Sequence, residues 1–217
     1  MKKRISSIFC LLALAITSMQ AKDYNVKDYG AIGDGKTLDH IAINATIDTC
    51  VAHGGGRVVL PAGTYLCGSI RMKSNVELHL MTGSKILAAP ASMKAYDEAE
   101  KFEGTAYQDG GHTYFKNSLI YAIGANDVSI TGRGMIDGEG LTRRDTEKAG
   151  NLQGGNIGTG DKAIAFKQCR NILIRDVTVY RGGHFGIIVT GCELGTIDNV
   201  IVDTNRDGID IDCCKYL

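Results

Sequence analysis

The 217-residue sequence carries 24 basic and 24 acidic side chains, 28 glycines, two prolines and no tryptophan. Three of the basic residues and none of the acidic ones precede residue 22, so the remainder stands at −3, with 21 against 24. That balance gives no electrostatic footprint for nucleic acid, and no nucleic-acid partner is expected. The glycine-rich, proline-poor composition points to many tight turns, and the length suits one domain.

Residues 1–21 read as a signal peptide. Lys2-Lys3-Arg4 gives a positive start, Ile8 to Ile16 is an almost unbroken apolar run, and Thr17 to Ala21 supplies small residues for cleavage near Ala21. The run is too short to span a bilayer. A lipid anchor on Cys10 would want a small residue where Phe9 stands. The expectation is an exported protein, periplasmic or extracellular, with residues 22–217 as its one domain and no membrane contact once the leader is removed. Cys50, Cys67, Cys169, Cys192, Cys213 and Cys214 then remain, an even number that an oxidising compartment permits to pair.

Gly30 to Thr37 fits the P-loop expression G-x-x-x-x-G-K-[ST]. Three features count against a nucleotide site. Export takes the chain away from nucleoside triphosphates, and Tyr24 to Tyr29 is not the buried apolar strand that precedes a P-loop. Val200-Ile201-Val202, which could pass for the metal-binding strand, belongs to a repeat described below. The glycines are read as turn-formers ahead of a helix over 39–51. Ile43, Ile47, Cys50 and Val51 fall at helical spacing there, with Thr37 or Asp39 as N-cap. Gly54-Gly55-Gly56 ends the helix, and Val58-Val59-Leu60 opens the first expected strand. Val76 to Leu80 alternates cleanly as another. Two irregular segments follow, Pro90 to Asn117 with five aromatic residues and Gly138 to Gly160 with almost no apolar ones. Loops of that length are usually functional or disordered, and in a solenoid they gather on one face as a binding rim.

The last third repeats itself. Phe166, Val189 and Ile211 follow one another at 23 and 22 residues, and each lies three residues before a cysteine: Cys169, Cys192, Cys214. Ile174, Val177 and Val179 recur 23 residues later as Ile197, Val200 and Val202. Short β-branched strands at this period, with no helical crossover, mark a solenoid in which each turn is one coil. The leucine-rich repeat pattern is absent, while Gly- and Asn-rich corners fit a parallel β-helix. The fold class is therefore all-β, a parallel β-helix, with the 39–51 segment as an amphipathic N-terminal capping α-helix over the open end. The cysteine ladder reads as buried apolar filler ahead of a disulfide.

Asp28-Tyr29-Gly30-Ala31, Gly33-Asp34-Gly35, Gly54 to Val59, Pro61 to Tyr65 and Asn205-Arg206-Asp207-Gly208-Ile209-Asp210 together carry a resemblance. The chain resembles the polygalacturonase-like family 28 glycoside hydrolases, the pectin-degrading β-helix enzymes, with Arg206 where the family has threonine. The N-terminal segments speak to architecture and the 205–210 segment to activity. The resemblance implies a right-handed β-helix that hydrolyses glycosidic bonds in pectic polysaccharide or oligosaccharide with inversion, and with no cofactor or metal. Such a reaction needs a proton donor at the leaving oxygen and a second carboxylate that activates water. The family uses a cluster of three aspartates on adjacent coils. Asp207 matches the first of them, on the water-activating side; its bland alternative is a turn-forming Asp before Gly. Asn205 and Asp210 match positions near the substrate, and His184, one coil earlier, is a third substrate-binding candidate. Tyr96, Phe102, Tyr107, Tyr114 and Phe115 either stack on sugar rings or pack back onto the coils.

The family's Asp-Asp pair, Gly-His-Gly segment and Arg-x-Lys clamp belong to later coils, and no adjacent aspartate pair occurs in the 217 residues. The expectation is a β-helix truncated at its C-terminus and inactive by itself, from a parent that is monomeric at full length. Two other readings stay open: calcium-dependent elimination of the pectate-lyase kind, and a non-catalytic sugar-binding β-helix. His40, His53, His79 and His112 lack metal-ligand spacing.

Overall fold

The computed structural model describes residues 22–101, 110–142, 157–204 and 206–217. The leader, Phe102, Tyr107 and Asn205 lie outside them. Within them the chain winds through three parallel sheets, visiting each in turn once the coils are established. The first sheet holds β1 (Asp23–Asn25), β3 (Gly56–Leu60), β6 (Val76–Leu80), β9 (Asn126–Gly132), β12 (Arg170–Arg175) and β15 (Glu193–Asp198). The second holds β2 (Asp34–Leu38), β4 (Gly63–Cys67), β7 (Ser84–Ala88), β10 (Met135–Asp137), β13 (Thr178–Tyr180) and β16 (Ile201–Asp203). The third holds β5 (Ile70–Arg71), β8 (Ser118–Ile123), β11 (Lys162–Lys167), β14 (Phe185–Thr190) and β17 (Asp207–Asp212). The fold is a right-handed parallel β-helix.

Each sheet turns one column of branched residues inward. In the third sheet Ile70, Ile120, Ile164, Ile187 and Ile209 stand in register. Val58, Leu78, Ile130, Ile174 and Ile197 do the same in the first. β-Branched side chains hold one rotamer and fit a pleated face, so each rung lies on the one below at about 4.8 Å. Ile209 and Ile211 are 44% and 54% exposed, because no rung lies over β17 among the described residues.

The corners are set by left-handed residues. Asp127, Asn171 and Leu194 occupy equivalent places in successive coils at φ 54, 54 and 56°. Asp and Asn reach that region at low cost. Here they also bond across coils, Asn171 donating to Asp127 and Asn199 to Asp176. Gly186 opens the inner face of β14 because a Cβ there would come within 2.7 Å of the Gly208 carbonyl oxygen.

The capping helix α1 (His40–Ala52) falls one residue from its expected bounds. Ile43, Ile47 and Cys50 are buried on β3 and β5, while Val51 points outward. Asp39 holds the N-cap position, but its carboxylate turns back to accept from the Ile32 and Gly33 amides at 2.6 and 2.9 Å. Asp34 accepts from the Lys36 and Thr37 amides at 2.8 Å each. The amides that a P-loop would offer to phosphate are thus bonded to the chain's own carboxylates. The segments 23–25 and 34–38, outside the sheets in the sequence reading, are β1 and β2. They are short and polar, so alternation does not reveal them.

The stacked cysteines are free thiols. Cys192 Sγ accepts from the Cys169 amide at 3.4 Å, and Cys214 Sγ from the Cys192 amide at 3.3 Å.

Candidate active site

The third sheet is where the covered and open surfaces of the molecule meet. Its strands put Ser118, Lys162, Phe185 and Asp207 in one register column. The first three are fully buried, whereas the Asp207 side chain is 53% exposed. A second column runs Arg71, Tyr121, Ala165, Ile188 and Asp210. Ala165 and Ile188 are buried, and Asp210 is the half-open member at the end.

What covers these columns is the described part of the 90–117 loop. Phe115 packs with Ala165, Phe185 and Ile188 in a small outer cluster, separate from the interior of the helix. The Glu100 carboxylate accepts from the Phe115 and Lys116 amides at 3.0 Å, and Lys167 lies over the Phe115 ring. Tyr96 and Tyr114 are buried as well, and the Tyr96 hydroxyl donates to the Ala89 carbonyl at 2.9 Å. The described loop aromatics therefore pack on the coils. Among the described residues the cover stops at β14, so β17 presents Asp207 and Asp210 on an open shelf bounded by a wall.

Polar groups stand beside each carboxylate. Arg206 Nε lies 3.7 Å from Asp207 Oδ2. His112, at the end of a short 3-10 turn, Gly110–His112, places Nε2 3.8 Å from Asp210 Oδ2. The His112 ring meets Phe185 edge-on, with centroids 5.0 Å apart. Among the described residues no group of three or more His, Cys, Asp or Glu side chains converges as a metal site.

A family model for rhamnogalacturonase A/epimerase, pectate lyase-like proteins matches residues 24–214. The chain belongs to that family. Its fold is that of the polygalacturonase-like family 28 glycoside hydrolases. It is 28% identical to an exo-poly-α-D-galacturonosidase of Dickeya chrysanthemi, over 89% of this chain and 39% of that protein. It is 32% identical to plasmin and fibronectin-binding protein A of Streptococcus pneumoniae, over 84% of this chain and 23% of that protein. Among solved structures, a hyperthermoactive exopolygalacturonase from Thermotoga maritima superposes with a TM-score of 0.72 at 26% identity, covering 91% of this chain and 51% of that one. The chain thus spans about half or less of these relatives.

Of the residues singled out in this pectate lyase-like sequence, Asp207 and Asp210 both lie on β17, in register with Phe185 and Ile188 of the outer cluster, and Asn205 lies outside the described residues. His184 departs from expectation. It is fully buried, its ring tilted against Phe185 at 4.5 Å, and Gly111 closes over it. It packs against Phe185 beneath the loop. Sequence reasoning missed His112. It sits in a loop without periodicity, and its approach to β17 exists only after the coils stack.

Proposed function

We propose that the protein hydrolyses glycosidic bonds in pectic polysaccharide, with inversion, after export. The observation that carries this reading is the Asn-x-Asp-Gly-Ile-Asp segment itself, which begins β17 and sets Asp207 in register with Phe185 of the outer cluster. Asp207 would act on the water-activating side, and Asp210 on the substrate side. In an inverting enzyme the two catalytic carboxyl groups stand about 6.5–9.5 Å apart, leaving room for the attacking water. Neighbouring rungs lie about 4.8 Å apart, so carboxyl groups on adjacent coils reach such a separation when they are also offset along the strands or their side chains diverge. The proton donor is proposed to come from residues outside these 217, on a coil lying over β17.

The test is release of reducing ends from polygalacturonate by the natural gene product. Asp207→Asn should lower turnover by about 10²–10⁴-fold, the usual worth of a positioned acid or base. The 217-residue chain alone should release nothing; release by it would refute the missing donor. Unsaturated products absorbing in the ultraviolet would favour elimination. Similarity to the plasmin and fibronectin-binding protein of Streptococcus favours a non-catalytic β-helix, and the second reading is such a β-helix that binds the sugar without cleaving it. Galacturonan binding without turnover by the natural product would establish it.

A further inference from the structure

The wall beside the shelf ends in a single imidazole. Phe115 lies over the outer columns of β8, β11 and β14, and His112 is the side chain at the boundary with β17. Its contacts include the edge-on packing on Phe185 at 5.0 Å and the approach of Asp210 to Nε2 at 3.8 Å. The backbone beneath leaves little latitude. A Cβ on Gly111 would fall 2.7 Å from the Phe185 ring and 2.8 Å from the His184 ring nitrogen. The side chain of His112 is nevertheless 23% exposed.

Charge gives this position a purpose. The shelf is acidic, with Asp207 and Asp210 side by side on β17, and a uronic acid unit brings a carboxylate of its own. An acidic floor needs hydrogen-bond donors at its rim to hold such a sugar. Arg206 stands beside Asp207 and His112 beside Asp210, one donor for each aspartate. We infer that His112 is a sugar-contacting residue, donating to a hydroxyl or carboxylate oxygen of a uronate unit bound over β17, with Asp210 and Phe185 as its positioning residues. The inference rests on the pectic-hydrolase reading and names a contact of that site.

The experiment is calorimetric titration of the full natural chain with trigalacturonate, in the wild type, His112→Ala and His112→Gln. A hydrogen bond to a charged group is worth about 1.5–3 kcal/mol, so His112→Ala should weaken binding by about 10- to 150-fold. His112→Gln retains an N–H donor and should recover most of that loss, and thermal unfolding should be the same for all three. In the active enzyme the Ala variant should raise KM more than it lowers kcat. A wild type that binds trigalacturonate no more tightly than His112→Ala overturns the inference alone. Equal losses for Ala and Gln reduce His112 to a packing residue and overturn it too. A wild type that neither binds nor cleaves galacturonate overturns the hydrolase reading and this contact with it.

Discussion

Lys162 Nζ donates to Asp161 Oδ1 at 2.6 Å, an ion pair between chain neighbours that are both buried beneath the shelf. Lys162 stands in register with Phe185, and the Asp161 carbonyl accepts from the His184 amide at 2.7 Å, so the pair underlies the wall of the site. Removing one partner strands a desolvated charge. Lys162→Met should therefore cost about 3–5 kcal/mol in urea unfolding. The double variant Asp161→Asn/Lys162→Met should be less destabilised than the single one. A single variant within experimental error of the wild type would show that water reaches the pair.

The acid response should centre on Asp97. Burial pushes this carboxyl up, but the bonds from Arg71 at 2.7 and 2.6 Å and from the Tyr121 hydroxyl at 2.8 Å outweigh it and leave it below the usual carboxylate range. A depressed acid stabilises the fold above its unfolded value, about 3.9, and that contribution disappears as pH falls through the lower folded value. The stability difference between wild type and Asp97→Asn should thus be level from pH 7 to 5 and shrink at lower pH. Burial pushes His40 down while the Asp97 charge raises it, so both proteins are compared in a His40→Asn background. A difference still undiminished at pH 2.5 would contradict the assignment.

Thiol reactivity should follow position in the coil. Cys169 and Cys192 are buried; the bond with Cys169, with burial added, pushes the Cys192 thiol far up. Cys213 is exposed beside Asp212, and hydrogen bonding to that carboxylate raises its thiol as well. A thiol-reactive dye should label Cys213 first in the native protein, and more slowly than a free thiol at the same pH. Cys213→Ser should abolish that fast phase. Rapid labelling of Cys192 in folded protein would refute the stacked interior.

How far the sequence discloses the molecule follows from what repeats. The inward columns were legible because Ile164, Ile187 and Ile209 recur at fixed intervals. β1 and β2 were not, because Asp23–Asn25 and Asp34–Leu38 are held by register with β3 and β4 and show no apolar alternation. The burial of His184 was not legible either, because it precedes a strand on the coil before β17 and only the stacked fold brings Gly111 over it. The same logic separates two truncations in one column. Ile187→Ala, fully buried, should cost about 2–5 kcal/mol, and Ile209→Ala, 44% exposed, distinctly less in the 217-residue chain. Equal costs would mean that something covers β17 in solution.

Gly111 offers a way to move the wall without touching its chemistry. An alanine there would press its methyl into the Phe185 and His184 rings, where the nearest atoms stand 2.7 and 2.8 Å from the ideal Cβ. Neither ring can retreat far, because both residues are fully buried. Contacts this short force the smaller, more exposed part to yield, and the 110–112 turn is that part. Gly111→Ala should therefore lift His112 off Phe185 and away from Asp210 while the coils keep their stability to within about 1–3 kcal/mol. In trigalacturonate titration it should resemble His112→Ala although the imidazole is still present, and adding His112→Ala to it should weaken binding little further. Additive losses would mean that the two residues act independently, and that the packing of Gly111 does not place the ring.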